Sequence, residues 1–407
     1  MVVIYKVFCK LDMKKLTVLF ILLIGRLTSA QAQDSITLYG IIDIGLQYAT
    51  VNQTRDYAVQ SSQFFGIASG VQSGSRFGLR GTHEMGGGFE TVFTLENGFN
   101  SANGDAQQGS RLFGRQSTIG IKNNNIGQLD FGRQINLASN YFLPIDPFGE
   151  GFGQANIGAS FGSANTVRYS NMVLFQAQAT ESLTLGAGYS FSTEMSSIYA
   201  GNGSCLETSC AASNQASQFQ TNNNLRALTL GAKYSSGPLL LAVAYDQLQG
   251  PDNIPNGPPK PNPTAWLAGG LYDFSVIKIS FAFGQARNGA WNGQPTGAGT
   301  TPSSPLADST LGSGAIFVAG AASSSLMFGM TVPLRDGSLL ASVQRLQPQG
   351  DVVPNSLIAP QMIYSAAYLY NFSRRTNLYT YASYGNHYAA IQTAQSTVVG
   401  VGLRHQF

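Results

Sequence analysis

His83, His387 and His405 are the only histidines in the sequence, and nothing around them forms a nucleophile elbow or a metal-binding pair. A Walker-type phosphate loop is also absent, so no nucleotide-driven step is encoded. These patterns argue against catalysis, a bound metal or a cofactor. What remains is a set of fixed charges. Asp146-Pro147-Phe148-Gly149-Glu150-Gly151 sets two acids around a proline and glycines that can turn the chain sharply. Asp43, Arg76, Arg80, Glu90 and Glu96 all fall on the polar parity of short alternating segments. Charges held in that way act on passing water, ions and dipoles rather than breaking bonds.

Strands are the elements that must hold them. Ile36 to Ala49 places Leu38, Ile42, Ile44, Leu46 and Tyr48 on one face and Tyr39, Asp43 and Gln47 on the other. Gly74 to Glu84 puts Phe77 and Leu79 opposite Arg76, Arg80 and Thr82, and after Gly86-Gly87-Gly88 the chain returns with Phe89, Phe93 and Leu95 opposite Glu90, Thr94 and Glu96. The unit recurs near 36–49, 74–84, 88–99, 113–122, 127–135, 165–179, 183–193, 224–235, 238–249, 264–274, 276–287, 323–333, 338–347, 361–372, 375–387 and 396–407, sixteen segments in all. Long connections at about 50–73, 100–112, 136–164, 194–223, 250–263, 288–322, 348–360 and 388–395 alternate with short turns.

Only 11% of residues are charged, against about a quarter in soluble domains, while 47 Gly, 18 Tyr and 24 Phe are present. The pattern predicts an all-β fold: a sixteen-stranded antiparallel transmembrane barrel, apolar towards lipid and polar within. A bore of that strand number holds water. Val399, Val401, Leu403, His405 and Phe407 share one face of the last segment, which reads as the closing edge. Tyr48, Tyr189, Tyr234, Tyr245, Tyr272, Phe274, Phe372 and Phe407 lie near strand ends, as interfacial aromatic girdles do.

The amino-terminal region reads as a secretory leader. Met13-Lys14-Lys15 is a basic start, an apolar run spans Leu16 to Ile24, and Ala30-Gln31-Ala32 offers a cleavage site. The expected organisation is a signal peptide over 1–32, with Met13 the better start, and one barrel domain over 33–407. Lys6, Lys10, Lys14, Lys15 and Arg26 against Asp12 leave with the leader, which turns the net charge from +3 to −1 and removes any case for nucleic acid. In an exported chain, Cys205 and Cys210 read as one local disulfide, two thiols being half a structural zinc site.

Several stretches resemble the trimeric general diffusion porins of Gram-negative outer membranes. They are Ile36-Thr37-Leu38-Tyr39-Gly40, Gly74-Ser75-Arg76-Phe77-Gly78-Leu79-Arg80, Leu95-Glu96-Asn97-Gly98-Phe99, Phe113-Gly114-Arg115-Gln116, Phe131-Gly132-Arg133-Gln134, Thr166-Val167-Arg168-Tyr169 and Val401 to Phe407, in order. The resemblance implies a homotrimer in the cell outer membrane, set in lipid and lipopolysaccharide, passing small hydrophilic solutes and ions. It implies an inward third loop, here 136–164, and an assembly machinery that reads Phe407. It also places Arg76 and Arg115 on the wall facing Asp146 and Glu150; strand parity adds Arg80, and its neighbouring position Arg168. Alternation from Ile119 and Ile121 would aim Arg115 at lipid unless a bulge or a position above the membrane intervenes. Phe161-Gly162-Ser163 stands where the family often has a further basic residue, which weakens the basic side. Two other classes are kept in view: an adhesive or structural barrel, and an outer-membrane phospholipase.

Overall fold

A computed structural model describes residues 34–55, 58–200, 224–250, 262–291, 314–349 and 358–407. The expected leader and the pair Cys205 and Cys210 lie outside them. Among the described residues, β1 (Ser35–Arg55), β2 (Ala58–Ser69), β3 (Arg76–Gly86), β4 (Phe89–Gly98), β5 (Gln116–Asn123), β6 (Gly127–Ile135), β7 (Arg168–Gln178), β8 (Leu183–Ser190) and β9 (Ser196–Ala200) come first. β10 (Arg226–Ser236), β11 (Leu239–Gln249), β12 (Thr264–Asp273), β13 (Lys278–Trp291), β14 (Gly314–Leu334), β15 (Gly337–Gln349), β16 (Gln361–Asn371), β17 (Thr376–Asn386) and β18 (Gln395–Gln406) follow.

β1 pairs antiparallel with both β2 and β3, the strands from β3 to β8 and from β10 to β18 pair antiparallel in succession, β8 pairs with β10, and β18 returns to β1 from Ile41↔Gln406 to Asn52↔Gln395. The sheet is therefore a closed barrel with no free edge. It has sixteen staves, because two of the eighteen segments add none. β2 and β3 run end to end along one side of β1, and β9 is a loop strand lying parallel to the start of β14. Phe407 completes closure: its N–H donates to Gly40 O at 3.0 Å and its carbonyl accepts from Gly40 N at 3.1 Å. A Cβ at Gly40 would collide with the Phe407 ring.

Alternation sorts the faces as expected. Leu38, Ile42, Leu46 and Tyr48 are exposed on the outside, while Asp43 and Gln47 are buried within. Rings pair near strand ends, as in Tyr272 with Phe274 and Tyr370 with Phe372. The turn at 86–88 requires its glycines, since all three have positive φ.

Three departures have physical reasons. β1 continues to Arg55 and pairs with β2, so 50–73 is mostly a hairpin; its polar residues stand beyond the lipid and lose the apolar alternation that marks a strand. For the same reason, β13 and β14 extend to Trp291 and from Gly314, well into the expected 288–322 loop. The third loop opens with a helix, α1 (Leu137–Phe142), too short to display a 3.6-residue period.

Candidate functional site: the loop-lined constriction

The third loop lies against the inner wall. Asn136 caps α1 by accepting from Ser139 N, and its amide donates to Ser163 O at 2.8 Å and Asp246 Oδ1 at 3.1 Å. Glycines clear its path. A Cβ at Gly186 or Gly231 would come within 2.8 Å of Tyr141, and one at Gly329 within 2.4 Å of Pro147. Farther along, amides of Gln344 and Gln361 donate to the carbonyls of Ala155, Asn156 and Ala159. Leu137, Tyr141, Phe142, Ile145 and Phe161 pack on Ala242, Ala244, Leu267, Ala282 and Met327 of the wall. The barrel's main apolar core is thus loop against wall, inside the bore.

The loop's acidic turn is seated at the other end of that track. Asp146 Oδ1 accepts from Phe148 N, and Oδ2 from Glu150 N at 2.9 Å and Ile157 N at 3.0 Å. Asp146 therefore points back into its own loop instead of into open water. Burial lifts its pKa to about 6 against those three N–H groups. Glu150 is also buried, at 8% exposure. Burial and then the Asp146 charge push its pKa well up, partly offset by Arg168. Gly149, Glu150, Phe152 and Gly153 all take positive φ, a local twist that costs the two non-glycine residues roughly 1–2 kcal/mol each.

Docking offsets that cost. Gly151 meets Gln72 O so closely that any Cβ would clash at 2.0 Å, and Phe152 N donates to Val71 O. The Phe152 ring packs edge-on against Phe148, Tyr379 and Tyr381. Asp43, expected among the lumen charges, is the tie beneath this seat: it accepts from Tyr379 OH at 2.6 Å and Ser73 N at 2.6 Å.

The opposite wall is polar. Glu96 accepts from Arg115 Nε at 2.7 Å and from Tyr39 OH at 3.0 Å. Arg80 lies over the Tyr39 ring, its Cζ 5.3 Å from the centroid. Arg115 escapes the alternation problem because it precedes β5: its backbone N–H reaches Glu96 O, and its side chain crosses Gly98 and Gly74. Arg168 Nη1 donates to Thr166 O at 2.8 Å, and Arg76, Arg115, Arg133 and Glu96 lie within its electrostatic reach. Glu90 pairs with Lys122 at 3.3 Å lower down the wall. Sequence reasoning missed Arg404, whose Nε donates to Ser73 Oγ at 2.7 Å, and Arg133, bonded to Gly114 O and Ser170 Oγ. The available signal for Arg404 was its polar strand parity; Arg133 shares the parity of Leu129 and Phe131 and sits at the register shift between Gly132 and Gln134, which alternation alone does not announce.

The histidines stay apart. His83 contacts Asp34 in an exposed turn, His387 the Pro360 carbonyl, and His405 Thr376 Oγ1.

A closed sixteen-stranded barrel with a loop folded across its bore defines an outer-membrane diffusion channel. The chain belongs to the Gram-negative porin family, whose sequence profile matches residues 24–388. An outer membrane porin protein of Bordetella pertussis is 42% identical over 97% of this chain and 100% of its own length. Outer membrane porin protein 32 of Delftia acidovorans is 31% identical over 40% of this chain and 46% of its own. In fold, the anion-selective porin from Comamonas acidovorans matches with a TM-score of 0.64 at 20% identity, covering 92% of this chain and all of that one. The Salmonella typhi OmpF complex with daunomycin matches at 0.58 and 15% identity, covering 91% and 97%. The protein is accordingly a porin of the cell outer membrane, a water-filled channel for passive diffusion of small hydrophilic solutes, and a channel rather than an enzyme.

Proposed function

We propose that the channel is a homotrimer that favours anions at its constriction, with the loop's acids acting chiefly as structural ties. The observation that carries the reading is the charge balance around Arg168: Arg76, Arg115 and Arg133 gather within its reach, and Glu96 is the acid bonded to one of them. Guanidinium groups keep their charge at any working pH, and a low-dielectric rim focuses their field on passing ions. Arg80 extends the cationic side toward the short-turn end of β3. Asp146 is spent on backbone N–H groups, and Glu150 sits beside Arg168, so neither offsets the wall fully.

The likeness to an anion-selective porin and to a trimer form of OmpT, at a TM-score of 0.57 and 14% identity over 92% of this chain and 99% of that one, supports the same reading. Residues 1–32 act as a cleaved signal peptide and 33–407 form the barrel. Phe407 serves as the mark read by the assembly machinery. The long loops face outward into lipopolysaccharide, Cys205 and Cys210 pair, and no reaction is catalysed. The test is the reversal potential of single channels in a tenfold salt gradient: the anion must carry the larger share of current, and cation preference rejects the reading.

A further inference from the structure

The upper ends of distant strands meet across the long-loop mouth. Trp291, the last residue of β13, donates from Nε1 to Tyr169 OH near the head of β7 at 3.0 Å. β8, β10, β11 and β12 stand between those two strands. Five spacings of about 4.8 Å make roughly 24 Å of wall, more than two side chains can bridge from upright strands. The tops of β13 and β14 therefore lean inward over β10 to β12. A local cause is present: the β13–β14 register shifts between Arg287 and Gly289, and Asn288, Gly289 and Gly320 take positive φ. A bulge of this kind bends the strand that carries it.

A second contact closes the same gap. β9 pairs parallel with the top of β14, from Gly314↔Ser196 to Val318↔Ala200. Three residues before Ser196, Thr193 N donates to Leu225 O beside β10 at 2.8 Å. The chain thus passes from β10 to the β14 arm within a reach of about 10 Å. Met195, Phe317 and Trp291 are buried with Leu225 and Leu248 in one cluster, which an arm standing free in water would not allow. At the foot of this arch, Glu194 pairs with Arg111 Nη2 at 3.2 Å, in the loop between β4 and β5.

We propose that this arch is a second size filter, set at the long-loop mouth apart from the third-loop constriction, with Trp291 and Tyr169 as the residues that hold it shut. The two narrowings stack. Tyr169 OH, which accepts the Trp291 bond, donates to Asp246 Oδ1 at 3.2 Å, and the same oxygen accepts from Asn136 at the root of the third loop. Arch and loop therefore cover the same sector of the barrel, one above the other, and solutes are turned toward the side of β3 to β7. Size is selected at the arch and charge at the wall below it, so a solute slim enough for the third loop can still be refused at the mouth.

The test uses the whole purified protein in planar bilayers, with polyethylene glycols of increasing size added to one side at a time; a polymer that enters the channel lowers its conductance. In wild type the size threshold must be lower from one side than from the other. Ile316→Pro, which removes an N–H within the arch and breaks its pairing, must abolish that difference by raising the lower threshold, and must leave the higher one where it was. Trp291→Phe keeps a ring and loses the indole N–H, so it must shift the lower threshold part of the way. A lock gives a reading that needs no destabilised variant: Ile198→Cys with Ile316→Cys, combined with Cys205→Ser and Cys210→Ser. Opposed Cα atoms on paired strands lie about 5 Å apart, within the disulfide range, so this pair must bond on oxidation and keep the wild-type thresholds. Equal thresholds from both sides of wild type, an unmoved threshold in Ile316→Pro, or failure of the paired cysteines to bond overturns the proposal.

Discussion

Inward positions on β10 to β14 include Ala227, Ala242, Ala244, Leu267, Ala282 and Met327, with the polar Thr229 and Asp246 tied to the third loop, whereas those on β3, β4 and the head of β7 include Arg76, Arg80, Glu96 and Arg168. The same barrel thus has an apolar inner wall and a charged one. The difference follows from what covers each. The third loop hides the first wall from water, so apolar side chains there are stabilised by burial, at about 25 cal/mol per Å². The second wall is not covered by the apolar side of the loop and keeps its charge through polar partners, as Glu96 does with Arg115 and Tyr39. A porin bore of this kind is asymmetric because one loop needs a greasy seat, and the field of the opposite wall falls on what space is left.

Spoiling the seat should have the largest effect. Gly329→Leu would drive a side chain into Pro147, and Gly231→Leu into Tyr141. Overpacking costs about 1–3 kcal/mol, which the loop can avoid by lifting off. Single-channel conductance should then rise and become noisy while the barrel stays heat-modifiable on gels. Conductance equal to wild type in both variants would mean that the loop is not the narrowing element. Next in size is the charged wall: replacing Arg76, Arg115 and Arg168 together by Gln should abolish anion preference, with conductance changed less than by the glycine variants. The effect should shrink at molar salt, where the Debye length is about 3 Å. A reversal potential that stays put would detach selectivity from this wall.

The contrast also explains what could be read from the residues in order. Outside alternation was legible throughout, because lipid demands apolar side chains at every second position; the sixteen segments lie within a few residues of the strands except where β1, β13 and β14 extend past the lipid. The apolar inner wall was not legible. Leu239-Leu240-Leu241-Ala242-Val243-Ala244 is greasy on both parities, and nothing local says that a loop about a hundred residues earlier covers its inner side. The acidic turn was found as a sequence, but its direction was not. Whether Asp146 faces water depends on the backbone N–H groups of Phe148, Glu150 and Ile157, set by positive φ values that composition does not announce. Asp43 was readable as inward, yet its service to Ser73 and Tyr379 depends on the break between β2 and β3.

A finer probe of the charged wall is Glu96→Gln. It removes the acid bonded to Arg115 while leaving Tyr39 a partner. Anion preference should increase modestly, by less than the triple arginine change removes. Since losing one member of a buried pair can cost roughly 3–5 kcal/mol, the unfolding midpoint in detergent should fall too. If selectivity moves toward cations instead, Glu96 does not offset the arginines.

The smallest expected effect is a pH response of the loop seat. Asp146 keeps its proton up to about pH 6 in the fold, against 3.8 for the free side chain, because burial penalises the carboxylate. Between those values the folded chain holds more proton than the unfolded one, so the seat is most stable below about pH 4 and loses stability as pH rises through 6. The window is worth at most about 3 kcal/mol. Glu150 moves in the same direction, its pKa raised by burial and by Asp146. Lowering the pH from 7.5 to 4.5 should therefore quieten the channel and, by erasing negative charge on the loop side, increase anion preference. Asp146→Asn should flatten the part of that response centred near pH 6, even though the amide cannot accept all three N–H bonds. Titrating reversal potential and current noise in wild type and variant decides it: identical pH profiles would place the response on other carboxylates and leave Asp146 as a tie that never loses its charge.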